Sequence, residues 1–167
     1  KLIFRHPHVY GDATAKDAGE VLQKWEQIKL KEKDGNKPVL GGVPNSLPSL
    51  IKAYRVQEKA ANVGFDWEKP EDVWEKVKEE IAEFEQEVAH KYKEQATAEF
   101  GDVLFSLVNA ARLYHINPDN ALEHTNQKFT RRFNYIEEQA ISSGRKLKEM
   151  TLEEMDALWN EAKAQGL

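Results

Sequence analysis

Four carboxylates at helical spacing are the residues in this sequence that most clearly offer chemistry. Glu80 and Glu83 lie three residues apart, and Glu99 and Asp102 repeat that spacing. Side chains at this spacing share one face of an α-helix, so two antiparallel helices would bring all four together. Such oxygen ligands suit Mg²⁺, which combines carboxylates with water and substrate phosphates.

The alternative interpretation is an ordinary acidic surface. The chain has 29 acidic residues, and acid pairs at helical spacing are common on solvated faces. Glu80 argues against this reading because it borders the apolar stripe of its helix, one turn from Val77 and Phe84. A metal site is therefore the favoured interpretation of the acid pairs.

The segment around Asp102 also favours a metal site. It carries apolar residues on nearly every side, so we expect a mostly buried helix. A buried carboxylate there needs a cation or another partner. Gly101 lowers helix propensity by about 1 kcal/mol against Ala, and we interpret it as a sign that another group approaches closely.

Apolar periodicity predicts the helices that must position these acids. They cover residues 17–32, 49–62, 71–91, 96–115 and 118–142, and a last helix follows a capping box formed by Thr151 and Glu154. The break between the two acid-bearing helices is placed at residues 92–95. The inward side chains are predicted to be Val73, Val77, Ile81, Phe84 and Val88 in one helix and Leu122, Phe129, Phe133 and Ile136 in another. No strand pattern competes, so the sequence predicts an all-α helical bundle.

Composition excludes several classes of protein. The 167 residues include no cysteine, which rules out disulfides and thiolate metal sites and fits a reducing, cytoplasmic setting. The net charge is −5, without a basic stripe, which argues against a nucleic-acid partner. No apolar run approaches the roughly 20 residues of a membrane span. Neither a nucleophile elbow nor a Gly-rich phosphate loop is present.

Several basic residues are candidates for binding phosphate. Lys128 and Arg132 lie four residues apart on one flank of a predicted helix, whereas Arg131 points to another side. They either hold a polyphosphate or form a solvated basic face with ion pairs to other helices. Lys76, one turn before Glu80, either contacts a phosphate or pairs with the acids.

Two other side chains are candidates for contacting a base. Asn126 falls within the predicted apolar stripe, where a polar group needs a partner. The Asn126 side chain either hydrogen-bonds to the base or sugar of a nucleotide or caps a neighbouring loop. Trp159 lies on the inner side of the last helix, where it either packs in the core or stacks on a base.

The acid pattern, with its flanks, resembles a known family. Glu79-Glu80-Ile-Ala-Glu83 followed by Glu99-Phe-Gly-Asp102 is similar to the signature of all-α nucleoside triphosphate pyrophosphohydrolases, and of the MazG family in particular. The flanking segments that carry the likeness are Ser46-Leu-Pro-Ser-Leu, Ala61-Asn-Val-Gly-Phe-Asp-Trp67, Gly101-Asp-Val-Leu-Phe and Lys128-Phe-Thr-Arg-Arg-Phe133.

Two residue patterns that occur twice in the chain suggest that it contains parts of two similar domains in tandem. Lys1 and Arg5 repeat the spacing of Lys128 and Arg132, and residues 25–29 echo residues 159–163. MazG proteins of this type carry two domains. The resemblance therefore implies that residues 1–33 are the tail of a preceding MazG-like domain, residues 34–46 a linker or loop, and residues 47–167 the catalytic domain.

The resemblance also implies an activity. It implies a homodimer that hydrolyses a nucleoside triphosphate to the monophosphate and pyrophosphate, with a nucleotide house-cleaning role. The implied cofactor is Mg²⁺, with Mn²⁺ as an alternative. The implied metal ligands are Glu80, Glu83, Glu99 and Asp102; the candidates for the catalytic base are Glu83 and Glu79; and the implied nucleotide-binding residues are Lys76, Asn126, Lys128, Arg131, Arg132 and Trp159.

Two competing hypotheses remain at this point. One is an inactive regulatory or dimerisation module that binds nucleotide without cleaving it, and the intact acid set argues against that. The other is a di-iron carboxylate bundle, which normally needs two Glu-x-x-His pairs. The acid helices offer only one, Glu87-Val-Ala-His90.

Overall fold

The computed structural model describes residues 38–167, and this part of the chain is helical without any strand. The all-α prediction is thereby confirmed. The predicted helix over residues 17–32 and the proposed domain tail at residues 1–33 lie outside the described residues. Five α-helices are present: α1 Ser49–Ala61, α2 Val73–His90, α3 Lys93–Leu113, α4 Pro118–Ser142 and α5 Leu152–Ala164. Short 3₁₀ helices occur at Val39–Gly42, Pro70–Asp72 and Leu147–Glu149.

The described helices belong to two compact units. The first unit extends to Pro118 and contains α1, α2 and α3, and the second covers Asp119–Leu167 with most of α4 and all of α5. In the first unit, α2 and α3 pack along each other and α1 packs against α3. The most deeply buried apolar side chains of this unit are Val73, Val77, Val103, Val108 and Ala110.

A very short joint connects α2 to α3. Helix α2 ends at His90 because Lys91 adopts a left-handed conformation, with φ of 60°. Its N–H bonds back to the carbonyls of Glu87 and Val88 and so closes the helix end. Helix α3 then starts at Lys93, three residues before the predicted start. The break was placed too late because this conformation usually involves glycine, and the sequence has none here.

The expected inward faces are only partly confirmed. Val73, Val77 and Ile136 are buried. Five side chains that were predicted to point inward are instead exposed: Ile81, Val88, Leu122, Phe129 and Phe133. Helix periodicity identifies an apolar stripe correctly, but the stripe is longer than the neighbouring helices of the described chain can cover.

The same holds for α3, which was expected to be mostly buried. Phe100, Leu104, Phe105 and Leu107 are each at least 40% exposed. The prediction of a buried helix is therefore wrong for the described chain. Large apolar surfaces of this kind mark sites of protein or ligand contact.

The predicted helix ends of the second unit are confirmed. Gly144, with φ of 69°, follows the end of α4. Thr151 accepts a hydrogen bond from the N–H of Glu154, whose carboxylate accepts one from the N–H of Thr151. Arg145 donates two further bonds to Glu154, at 2.7 and 2.9 Å. These bonds tie the start of α5 to the segment after α4.

This arrangement generates a prediction about acid stability. Hydrogen bonds from Arg145, and then from the Thr151 backbone, lower the pKa of Glu154 from 4.5 to about 2. A carboxyl group with a depressed native pKa adds stability above its unfolded pKa and loses it as the pH falls through the native value. We expect E154Q to melt below the parent protein near pH 6, with the difference narrowing between pH 4.5 and about 2. Thermal unfolding of both proteins across this pH range measures the difference in melting temperature. A difference that stayed constant with pH would contradict the lowered pKa of Glu154.

Candidate functional site

Three of the four predicted acids meet on the α2–α3 hairpin. Glu80 and Glu83 come from α2 and Glu99 from α3, and one carboxylate oxygen of each lies within 4.8 Å of the others. The spacing of three residues places the first two on one face of α2, and the packing of α3 along α2 brings the third opposite. We call these residues the acid cluster.

Glu80 is the buried member of the acid cluster. It is 8% exposed, and Lys76 lies one turn earlier with its Nζ 2.8 Å from Glu80 Oε1. The same Nζ lies 2.9 Å from Glu79 Oε1. Of the two roles left open for Lys76, the structure shows pairing with the acids, and this pairing raises the pKa of Lys76 above its usual value.

Glu99 is placed where negative charge accumulates. Its pKa is raised, first by desolvation and then by repulsion from Glu83, Asp102, Glu80 and Glu87. The raised pKa shows that each further negative charge is costly at this position. A divalent cation bound to the oxygens would relieve that repulsion, so these residues fit a hard metal ion.

Asp102 does not occupy the position expected for it. Its side chain is exposed, and it is not one of the three acids whose oxygens converge. The prediction of a buried Asp102 is therefore wrong, because α3 is less covered than its composition suggested. Gly101 also differs from expectation, since a Cβ built there would meet no atom within 4 Å beyond its chain neighbours and the backbone of its own helix.

The predicted nucleotide-binding residues of the second unit lie on α4 and α5. Asn126, Lys128 and Arg131 are exposed, so the prediction that Asn126 lies in a buried stripe is wrong. Arg132 donates from Nε to the carbonyl of Leu167 at 2.7 Å.

Trp159 has two aromatic or cationic neighbours within its unit. The Arg132 guanidinium lies 5.4 Å from the centre of its ring. The ring of Phe129 lies 5.2 Å away and is tilted by 54°. Trp159 thus packs against α4 within its unit, and it also holds Arg132 by a cation–π contact.

A cavity of about 650 Å³ in the first unit was not predicted from the sequence. It is bordered by Lys76, Glu80 and Asp102, and so adjoins the acid cluster. Other polar side chains around it are Gln57, Asp66, Asn109 and Arg112. We call it the α1–α3 cavity. The signal that sequence reasoning passed over is Asn109, a polar residue in the apolar part of α3.

Comparison with known proteins identifies a similar domain family and similar proteins. Residues 68–136 match the sequence model of the MazG nucleotide pyrophosphohydrolase domain. The chain is 42% identical over 164 residues to the nucleoside triphosphate pyrophosphohydrolase/pyrophosphatase MazG of Thermotoga maritima, which covers 98% of this chain and 62% of the relative. It is 40% identical over 171 residues to the nucleoside triphosphate pyrophosphohydrolase of Escherichia coli K12, covering all of this chain and 65% of the relative.

A third relative is the uncharacterized protein YabN of Bacillus subtilis, 53% identical over 167 residues, which cover 98% of this chain and 34% of the relative. The chain thus spans less than two thirds of the length of these relatives. The matched residues 68–136 contain the whole acid cluster. Residues 68–136 of the chain are therefore identified as a MazG nucleotide pyrophosphohydrolase domain.

Proposed function

We propose that this chain carries a Mg²⁺-dependent nucleoside triphosphate pyrophosphohydrolase, which converts a nucleoside triphosphate and water to the monophosphate and pyrophosphate. The observation that supports it most directly is the convergence of Glu80, Glu83 and Glu99 within the matched domain. Two relatives that match nearly the full chain bear the name of this activity.

The acid cluster would hold the cation. Glu80, Glu83 and Glu99 offer the converging oxygens, and Asp102 is close enough that its charge, after desolvation and the charge of Glu83, raises the pKa of Glu99. We assign it as a fourth ligand. When bound, Mg²⁺, or Mn²⁺ in its place, neutralises phosphate charge and makes water a better nucleophile at neutral pH.

Glu83 has a second role in this proposal, as the catalytic base. The water that attacks the α-phosphorus gives its proton to a carboxylate oxygen of Glu83, which is exposed at the edge of the cluster. Glu79, the other candidate base, is held by Lys76 at 2.9 Å, which makes it the less suitable acceptor. Lys76 offsets the charge of Glu80 and keeps the buried carboxylate in place.

Basic residues of the second unit would bind the phosphates. Lys128 and Arg131 are exposed on α4, and Arg132 is oriented by the Leu167 carbonyl and the Trp159 ring. Such orientation suits Arg, whose planar guanidinium binds phosphate through paired hydrogen bonds. Asn126 and Trp159 complete the proposed nucleotide-binding set.

The assembly and setting also remain proposals. The exposed apolar side chains of α3 support a homodimer. We propose residues 47–167 as the catalytic domain, acting in the cytoplasm on the nucleotide pool. Within residues 38–167, no helix combines the length and apolarity needed to cross a membrane.

Glu83 provides the first test. We expect E83Q to lower pyrophosphate release from nucleoside triphosphates at least about a hundredfold, since it removes both a ligand charge and the proton acceptor. Thermal unfolding should change little because Glu83 is exposed. The matched control is E85Q, an exposed acid on the same helix outside the cluster. Full activity of E83Q would exclude the acid cluster from the reaction.

Removal of divalent cations provides the second test. We expect chelation to abolish pyrophosphate release and added Mg²⁺ to restore it, because the clustered carboxylates cannot neutralise phosphate charge by themselves. Calorimetric titration with Mg²⁺ should show binding to the parent protein and weaker binding to E83Q. Nucleotide binding without any pyrophosphate release at saturating Mg²⁺ would favour the inactive nucleotide-binding module instead.

Lys128 provides the third test. K128A should raise KM for nucleoside triphosphates about tenfold while leaving thermal stability unchanged, because an exposed lysine that binds phosphate contributes through charge. The control is K148A, which removes an exposed lysine from the short helix Leu147–Glu149. Equal kinetics for both variants would remove Lys128 from the nucleotide-binding set.

A further inference from the structure

The α1–α3 cavity has the size and the walls of a small-molecule site. Its volume of about 650 Å³ falls in the usual range for ligand pockets, roughly 300–1,000 Å³. Aromatic and aliphatic side chains form much of its lining, among them Val56, Phe65, Trp67 and Phe105. Such walls suit a flat, largely apolar ring better than a sugar or a phosphate.

Gln57 contributes an unused hydrogen-bond acceptor to this cavity. The residue is 6% exposed, and its Nε2 donates to the carbonyl of Phe105 at 2.8 Å. Because a carbonyl can only accept, this bond fixes which end of the amide is the nitrogen. The Oε1 atom is buried and has no hydrogen-bond partner within the described chain. A buried acceptor without a partner is unfavourable, so a ligand N–H that reached it would remove that penalty.

Asn109 contributes a donor. Its Oδ1 accepts from Nε and Nη2 of Arg112, at 3.1 and 2.8 Å. A guanidinium can only donate, so the amide orientation is again fixed, and the Nδ2 group is what Asn109 can offer a ligand. Arg112 is itself held by two bonds to the Asp66 carboxylate, at 2.9 and 2.5 Å.

We propose that the α1–α3 cavity binds the nucleobase of the substrate, with Gln57 Oε1 accepting from a base N–H and Asn109 Nδ2 donating to a base nitrogen or carbonyl. This inference rests on the proposed function, since the phosphates would lie at the adjoining acid cluster. Gln57 and Asn109 are the specificity-determining residues, and the Asp66–Arg112 pair positions Asn109.

Charge and location support a base over other ligands. The cavity carries three carboxylates, Asp66, Glu80 and Asp102, against the two cations Lys76 and Arg112. It therefore has no surplus of positive charge for a phosphate group. Glu80 belongs both to the cavity wall and to the acid cluster, so a ligand with its phosphates at the cluster can reach the cavity directly.

The test compares substrates that differ only in their base. For each variant, kcat/KM is measured with ATP, GTP, CTP and UTP, and the ratio of the best to the poorest substrate is taken. N109D keeps acceptors for Arg112 and removes only the Nδ2 donor; Q57M keeps the side-chain length and removes the Oε1 acceptor. The matched control is N134D, an exposed asparagine on α4.

We expect the parent protein and N134D to share one ratio, and N109D and Q57M to reduce it about tenfold or more. A general effect of the new charge in N109D would lower kcat/KM for all four nucleotides together and leave the ratio of best to poorest substrate unchanged. Calorimetric titration with the monophosphate of the preferred base, without divalent cation, should show the same loss of affinity in both variants. This second readout is independent of turnover.

The positioning role is tested separately by R112K. It keeps the charge but cannot bond Asp66 and Asn109 at once through a planar fork. We expect it to reduce the ratio of best to poorest substrate as N109D does, whereas a merely structural effect would lower kcat/KM for all four nucleotides together.

Several results would overturn the inference. One is an enzyme that hydrolyses all four nucleotides equally, and another is a set of variants that lowers them in parallel. A third is a change in the fraction of dimer in the variants while the ratio of best to poorest substrate stays the same. That result would show that a second copy of the chain occupies the cavity. In each case pyrophosphate release by the parent protein still upholds the proposed function, whereas its absence with every nucleotide would reject that function.

Discussion

The candidate site depends on one electrostatic constraint: carboxylates from two helices are held close together although they repel each other. Packing between α2 and α3 brings Glu99 toward Glu80 and Glu83. Desolvation first, and then this repulsion, raises the pKa of Glu99. Lys76 offsets part of the repulsion at the buried end of the cluster, 2.8 Å from Glu80. The remaining negative charge suits a cation, so the packing that creates the repulsion also creates the candidate metal site.

Much of this arrangement could be predicted from local sequence. Apolar periodicity located the five described helices, and capping chemistry located the start of α5 at Thr151. The spacing of three residues correctly paired Glu80 with Glu83. Burial was predicted less well, because it depends on which surfaces meet. Asp102 was expected to be buried and is exposed, whereas Glu80 is the buried acid. A periodic stripe shows that a helix face is apolar, but it does not show how much of that face is covered.

The cavity could not be predicted for a different reason: its polar network is built from residues far apart in sequence. Gln57 bonds to the carbonyl of Phe105, 48 residues away, and Asp66 bonds to Arg112, 46 residues away. Asp66 and Phe105 lie in segments that carry the family resemblance, but the sequence does not show that either contacts the other residues of the cavity. Their contacts form only when α1, the segment after it and α3 pack together. The orientation of each amide is fixed because its hydrogen-bond partner can only accept or only donate.

The short joint at Lys91 and Tyr92 carries a further consequence. An α-helix turns by about 100° with each residue, so one added or removed residue near this joint would rotate the side chains of α3 relative to α2. Glu99 would then leave the cluster even with every side chain intact. The joint should accept replacement of Lys91, particularly by glycine or asparagine, which adopt its backbone conformation readily. A change in its length would be far more damaging, so loop length here is as much a part of the candidate metal site as the carboxylates themselves.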